Sequence, residues 1–208
     1  MKTSRWRKSV YLCVVLCFLS FLVAGCAPKE KPQDNMMSLC KGILYQDAEI
    51  LSKYKIDNDK MHKETLKGFT QNLRAYSAGM FSKEQSTRIG EAYLNLLKRA
   101  EIDTKTKSQD GDKAEVEITV SKFEVEKAFD KQVLVEKLQK RLPSNATERM
   151  VVENITDIMV ETIDGIQADG TQTITVPCTY DKNLKMWMPD DVEKFTEQLE
   201  LAIVGMRD

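Results

Sequence analysis

The chain offers few side chains that could carry out catalysis or bind a metal. It has one histidine and five cysteines in 208 residues, which is little material for a histidine-rich metal site or a histidine-based triad. His62 lies in the most charged part of the chain, so we expect an exposed polar residue there. Asp190 and Asp191 follow a proline, where carboxylates typically cap a helix. Because the sequence also has no phosphate-binding loop, Cys-x-x-Cys pair or nucleophile elbow, we predict no catalytic residues, no metal, no cofactor and no enzymatic activity.

Cys26 has a chemically distinctive position, because it directly follows a segment that resembles an N-terminal leader. Basic residues at positions 2, 5, 7 and 8 precede an apolar stretch, residues 10–24, that only Ser20 interrupts. A bilayer-spanning helix needs about 20 apolar residues, so a stretch this short is typical of an export signal. The stretch runs directly into Val23, Ala24, Gly25 and Cys26, an aliphatic residue and two small residues before a thiol.

These four residues resemble the lipobox of bacterial lipoproteins. The resemblance implies that the signal peptidase recognises Val23, Ala24 and Gly25, and that Cys26 carries a diacylglycerol thioether, with palmitate-type acyl chains, as the mature N-terminus. It also implies anchorage on the extracytoplasmic face of the cell membrane. The residues leave two other interpretations open, which are an uncleaved membrane anchor and ordinary secretion with cleavage after Ala27.

Removal of residues 1–25 makes the protein acidic. The leader holds four of the 31 basic residues and none of the 32 acidic ones, which leaves a net charge of −5. This balance argues against a nucleic-acid partner and against further electrostatic binding to anionic lipid. The one cluster of basic residues is interleaved with aspartates and a glutamate, so we predict a solvated face and not a binding patch. The cluster consists of Lys53, Lys55, Lys60, Lys63 and Lys67.

Two thiols remain after processing. Cys13 and Cys17 leave with the leader and Cys26 carries the lipid, so only Cys40 and Cys178 are left. Outside the cytoplasm they could form one disulfide, and they could equally be two buried free thiols. The sequence leaves both possibilities open.

The mature chain is predicted to consist of a tether, residues 26–35, and one α+β domain, residues 36–208. Apolar residues at helical spacing predict three helices before residue 100, the third beginning with a capping box of Ser82 and Gln85. Strict alternation over residues 102–121 and 171–188 predicts two hairpins, with a pair of helices inserted between them and one helix after them. We therefore expect an antiparallel sheet of about four strands, cone-like and packed by helices. Pro177 is predicted to lie on an edge strand or in a bulge, and Asp190 to cap the last helix.

The second hairpin carries a further resemblance. Helices followed by an antiparallel sheet, with a Tyr-Asp-Lys-Asn-Leu-Lys-Met-Trp turn at residues 180–187, resemble uncharacterised lipoproteins of Gram-positive bacteria assigned to domains of unknown function. The resemblance implies a nuclear-transport-factor-2-like, cystatin-like cone, a fold that serves both pocket enzymes and binding proteins. Trp187, between two methionines, and the nearby Tyr180 are our candidate residues for a ligand or partner surface.

Three functions remain compatible with these patterns. The favoured one is a membrane-anchored, extracytoplasmic binding or interaction module whose partner is an envelope protein or a small apolar ligand. The second is a small hydrolase or isomerase in a pocket of the same fold. The third is a structural component of the envelope.

Overall fold

The computed structural model describes residues 30–205, and in that range the fold is a mixed α+β arrangement. The elements in chain order are α1 (Pro32–Tyr45), α2 (Ala48–Lys53), α3 (Asn58–Tyr76), α4 (Lys83–Leu97), β1 (Ile102–Asp110), β2 (Lys113–Phe123), α5 (Val125–Ala128), α6 (Lys131–Arg141), α7 (Glu148–Gly165), β3 (Ala168–Asp181), β4 (Met186–Pro189) and α8 (Val192–Ile203). The predicted class, two hairpins with inserted and flanking helices, is confirmed.

The four strands form one open antiparallel sheet in the order β1-β2-β3-β4. Alternation places one face of the sheet inside the protein, where Val116 pairs with Val176 and Ile118 with Ile174, and helices α1 and α8 pack against it. The opposite face is polar, and Thr119 and Thr173 bond through their hydroxyls at 2.8 Å. One apolar and one polar face are what the period-2 pattern predicted.

The inserted helices pack mainly on other helices. Helix α7 lies against α4, where Arg88 donates to Glu153 and Asp157 at 2.6 Å each. Arg99 then donates to the carbonyl oxygens of Ile163 and Ile166 at the end of α7. Helix α6 packs on the outside of α7. The domain therefore has a layer of helices beyond the pair that covers the sheet.

The first predicted helix, whose apolar residues at helical spacing run from Leu39 to Tyr54, is divided, and it begins earlier than expected. Gln46 adopts a left-handed conformation with φ of 55° and ends α1, and Asp47 accepts from the Ile50 amide to begin α2. Helix α1 begins at Pro32, inside the segment predicted as a tether, and Asn35 is 2% exposed. The folded part thus includes residues that we assigned to the tether from their polarity, because tertiary contacts bury a polar residue whose bonds are satisfied.

Two local predictions need correction. Strand β3 is an inner strand, so Pro177 does not lie on an edge strand; its carbonyl accepts from the Asp190 amide just after β4 has ended. The N–H and C=O of a strand residue point to the same side of the strand. The N–H that Pro177 lacks would therefore point toward Asp190, beyond the end of β4, so no hydrogen bond of the sheet is lost. The last helix is capped by Asp191, which accepts from the Lys194 amide, while Asp190 accepts from the Thr179 hydroxyl.

Candidate functional site

The predicted lipid-attachment residues 23–26 lie outside the described residues. What the structure does describe is where the chain enters the fold, at Glu30. The indole Nε1 of Trp187 donates to the Glu30 carbonyl oxygen at 3.0 Å, and Asn35 bonds the Glu30 carboxylate. None of the helices between residues 30 and 205 is both long and apolar enough to cross a membrane.

Trp187 does not form a surface, so this part of the site prediction is wrong. Its side chain is fully buried (0% exposed), and its backbone amide donates to Asn35 Oδ1 at 2.8 Å. Tyr180 is half-buried and meets the indole edge-on at 5.6 Å between ring centroids. The reason is the position of β4, which packs against α1 and buries Trp187 and Pro189, while Met186 and Met188 are partly exposed.

Two groups that could do acid–base chemistry, His62 and Tyr93, are held in structural contacts. His62 is half-buried between Gln46, 3.1 Å away, and Glu91, 3.3 Å away, so it is less exposed than predicted. Tyr93 donates to Glu200 at 2.6 Å, and burial together with that carboxylate raises the pKa of Tyr93 above its ordinary value. A phenol with a raised pKa stays protonated and is a poor base.

The cavity beside these groups is small. It measures about 110 Å³ between α1, α3, α4 and α8, below the range of about 300–1,000 Å³ that is usual for ligand pockets. Among residues 30–205, no three histidine, cysteine or acidic side chains converge in a way that could hold a metal ion.

Cys40 and Cys178 are free thiols in the core. Both are buried, and burial raises the pKa of each from 9.0 to about 12. Cys178 adds to the shift of Cys40, and Asp190 to that of Cys178. Of the two possibilities that the sequence left open, the structure has the unbridged pair.

A cleft that combines volume with charge lies between α3 and α4. We call it the basic groove; it has a volume of about 530 Å³ and is lined by Lys63, Leu66, Lys67, Thr70, Gln71, Arg74, Lys83 and Thr87. Four of these eight residues are cationic and none is acidic. Within residues 30–205, none of the four cations has a carboxylate within ion-pair distance. The groove therefore presents unneutralised positive charge in a protein that is acidic as a whole.

Close packing of α3 on α4 positions the groove. A Cβ on Gly90 would lie 2.7 Å from Leu66 Cδ1 and 3.0 Å from Phe69 Cδ1, so only glycine lets the two helices approach this far without rearrangement. The ring of Phe69 stacks on that of Tyr93 with centroids 5.2 Å apart. At the other end the predicted capping box is confirmed, since Ser82 and Gln85 bond each other's backbone amides. That cap begins α4 at Lys83.

The basic groove divides the lysine cluster that the sequence analysis interpreted as a solvated face. Lys53 and Lys60 pair with Glu49 and Glu64 on their own helices, which agrees with that interpretation. Lys63 and Lys67 instead join Arg74 and Lys83 along the groove. The sequence held a signal for this, because positions 63, 67 and 74 fall on one face of a 3.6-residue helix. The contribution of Lys83 from α4 could not be read from spacing.

A second cleft, between α6 and α7, is apolar. It measures about 250 Å³ and is lined by Phe129, Lys131, Leu134, Val135, Leu138, Ile155, Ile158 and Met159. Val133 and Val135 on α6 are 46% and 43% exposed. The described residues thus cover the apolar side chains of α6 only in part.

Comparison with known proteins identifies the fold but not the family. No family model and no curated protein matches the chain. The fold is similar to the crystal structure of ycdA, a presumed lipoprotein from Bacillus subtilis, with a TM-score of 0.65 over 83% of this chain. The two proteins share a fold. Their sequences are 15% identical, and the match covers 56% of the ycdA chain, so the present chain spans little more than half of that protein's length.

Proposed function

We propose that this protein is an extracytoplasmic lipoprotein, anchored to the cell membrane through acylated Cys26, that binds an anionic ligand in the basic groove. The single observation that carries the binding function is the row of four unpaired cations along a cleft without an acidic lining residue. The groove favours an anionic ligand over the small apolar ligand that the sequence suggested. A phosphate- or carboxylate-bearing polymer of the envelope has the required charge.

The anchor rests on two independent supports. The leader, with its basic head, short apolar core and Val23-Ala24-Gly25-Cys26, has the order that lipoprotein export requires. The fold is that of a protein described as a presumed lipoprotein. Acyl chains contribute about 0.8 kcal/mol per buried CH₂, so two or three chains hold a protein on a bilayer stably. We further propose that the domain is related to the nuclear-transport-factor-2-like proteins, since it combines helices with an antiparallel sheet.

We favour a protein that binds its ligand without catalysis over an enzyme with a pocket. A lysine or arginine row attracts an anion, but it supplies neither a nucleophile nor a base unless a cation loses its proton. The acid–base candidates His62 and Tyr93 each have a structural partner. The cationic lining of the groove also favours a binding protein over a purely structural envelope component.

The anchor is tested with Cys26→Ala in the exporting host. We expect wild-type protein in the membrane fraction, with acyl chains on the N-terminal cysteine in its mass spectrum. The variant should lose the acyl mass and keep its uncleaved leader, because the thioether precedes cleavage. A variant that is processed like wild type and still partitions with membranes would contradict lipidation.

Anion binding is tested with pyrophosphate and a longer polyphosphate as probes. Lys67→Glu/Arg74→Glu is expected to weaken binding at least tenfold, because two attractions become repulsions at the same groove. Isothermal titration at low and high salt measures this, and wild-type affinity should fall as salt rises.

Lys140→Glu/Lys194→Glu is the matched control. It makes the same change of net charge at exposed positions on α6 and α8, and it should leave affinity within about twofold of wild type. Equal loss in both double variants would mean that net charge and not the groove attracts the probe. Absence of binding by the wild type would contradict the proposed function.

A further inference from the structure

We infer that the anchor holds one particular end of the domain, the end formed by the two hairpin turns, directly against the lipid headgroups. This inference rests on the proposed acylation of Cys26. It adds a membrane-contact surface and an orientation that anchorage alone does not imply, because a long tether would leave the domain free to turn.

The first observation is that the chain is attached to the core only four residues after the acylated cysteine. Trp187 Nε1 donates to the Glu30 carbonyl oxygen at 3.0 Å, and the bond is part-buried. Asn35 bonds the Glu30 side chain and also accepts from the Trp187 amide at 2.8 Å. Glu30 is therefore held on both its backbone and its side chain by residues that are themselves buried.

Chain length then limits the distance to the membrane. Four residues span at most about 14 Å when fully extended. A bilayer is about 40–45 Å thick in total, and its hydrocarbon core is about 30 Å thick. The headgroup layer on each side is therefore about 5–8 Å thick. Glu30 consequently cannot lie more than about one helix diameter above the headgroups.

The direction of α1 shows which end of the domain this is. Near its start, Gln33 accepts from the Thr104 hydroxyl and the Thr106 amide of β1. Near its end, Tyr45 donates to the Ala100 carbonyl oxygen, before β1 begins. Helix α1 thus runs opposite to β1, and the chain that precedes it points toward the end where β1 turns into β2.

Both hairpin turns lie at that end. Lys113 pairs with Thr179, and Lys182 in the second turn lies 3.8 Å from Asp112 in the first. Lys182, Asn183 and Lys185 are exposed there, and so are Asp110 and Asp112. The two turns thus carry both charges, and the contact follows from the length and direction of the chain and not from net charge. The far end of the sheet, near Ala168, is thirteen residues back along β3, which is up to about 43 Å in a strand.

Energy transfer from a dye on the protein to headgroup-labelled lipid tests the orientation. Acylated protein is purified from the exporting host and reconstituted in vesicles of phosphatidylglycerol and phosphatidylethanolamine. The dye is attached to Lys182→Cys at the turn, or to Gln167→Cys, an exposed position at the far end. Because Cys40 and Cys178 are buried and Cys26 is a thioether, the introduced thiol is the reactive one.

We expect transfer from position 182 to exceed transfer from position 167 at least twofold. Insertion of twenty Gly and Ser residues between Ala27 and Pro28 should bring the two values together, since the domain could then turn freely. Acylated protein with equal transfer from the two positions would overturn the inference and leave the proposed anchor intact. Protein whose mass shows no acyl chain on Cys26 would overturn both.

Discussion

Trp187→Ala is expected to lower the free energy of unfolding by about 3–5 kcal/mol, the range for removal of a buried tryptophan. The side chain is 0% exposed, so its removal leaves a cavity between β4 and α1. It also leaves the Glu30 carbonyl oxygen without its donor. Urea unfolding of the mature chain with Cys26→Ser, followed by circular dichroism, measures the change.

Two controls separate the contributions at this position. Trp187→Phe keeps an aromatic ring but removes the Nε1 donor, so it should cost clearly less than alanine. Tyr76→Ala removes an aromatic side chain that is 91% exposed, and it should change stability by less than about 0.5 kcal/mol. A loss below 1 kcal/mol for Trp187→Ala would mean that the indole is not part of the core and would restore it as a candidate binding residue.

The second large effect is expected in the reactivity of the two buried thiols. In the native protein at pH 8, Cys40 and Cys178 should react with an aromatic disulfide reagent at least about a thousandfold more slowly than in urea. Only the thiolate reacts, and a pKa raised from 9.0 to about 12 lowers the thiolate fraction by about that factor. Burial blocks access of the reagent in addition.

The controls for this prediction distinguish burial from bridging. The mature chain with Cys26→Ser is used, and a further Ser108→Cys variant supplies an exposed thiol that should react at the rate of a free peptide. In urea and without a reductant, the chain that carries Cys26→Ser alone should show two equivalents of thiol. If they appear only after reduction, the two cysteines form a disulfide and the free-thiol assignment is wrong.

Trp187 shows why a correct element prediction does not locate a surface. The alternation around residues 180–188 predicted β4, and β4 is present. Alternation predicts that Trp187 and Tyr180 point to the opposite face of the sheet from the residues next to them in the chain. It does not predict which face another element covers. Here α1, about 150 positions earlier in the chain, covers the side that carries the indole.

The division of the first helix has a similar origin. Apolar spacing continued from Leu39 to Tyr54 as if one helix ran through, and the break at Gln46 depends on a left-handed residue that is not glycine. Tertiary contacts stabilise that conformation, since Tyr45 bonds the Ala100 carbonyl oxygen and His62 contacts Gln46. Local propensity carries little information about such a residue.

The sequence by itself determined the features that depend on neighbours within about four residues. These are both hairpins, the capping box at Ser82 and the α+β class. Only the tertiary structure decided that Glu30 is attached to Trp187, and that Lys63, Lys67 and Arg74 share a cleft with Lys83. Such contacts join residues far apart in the chain, and whether they form depends on packing geometry, which periodicity does not encode.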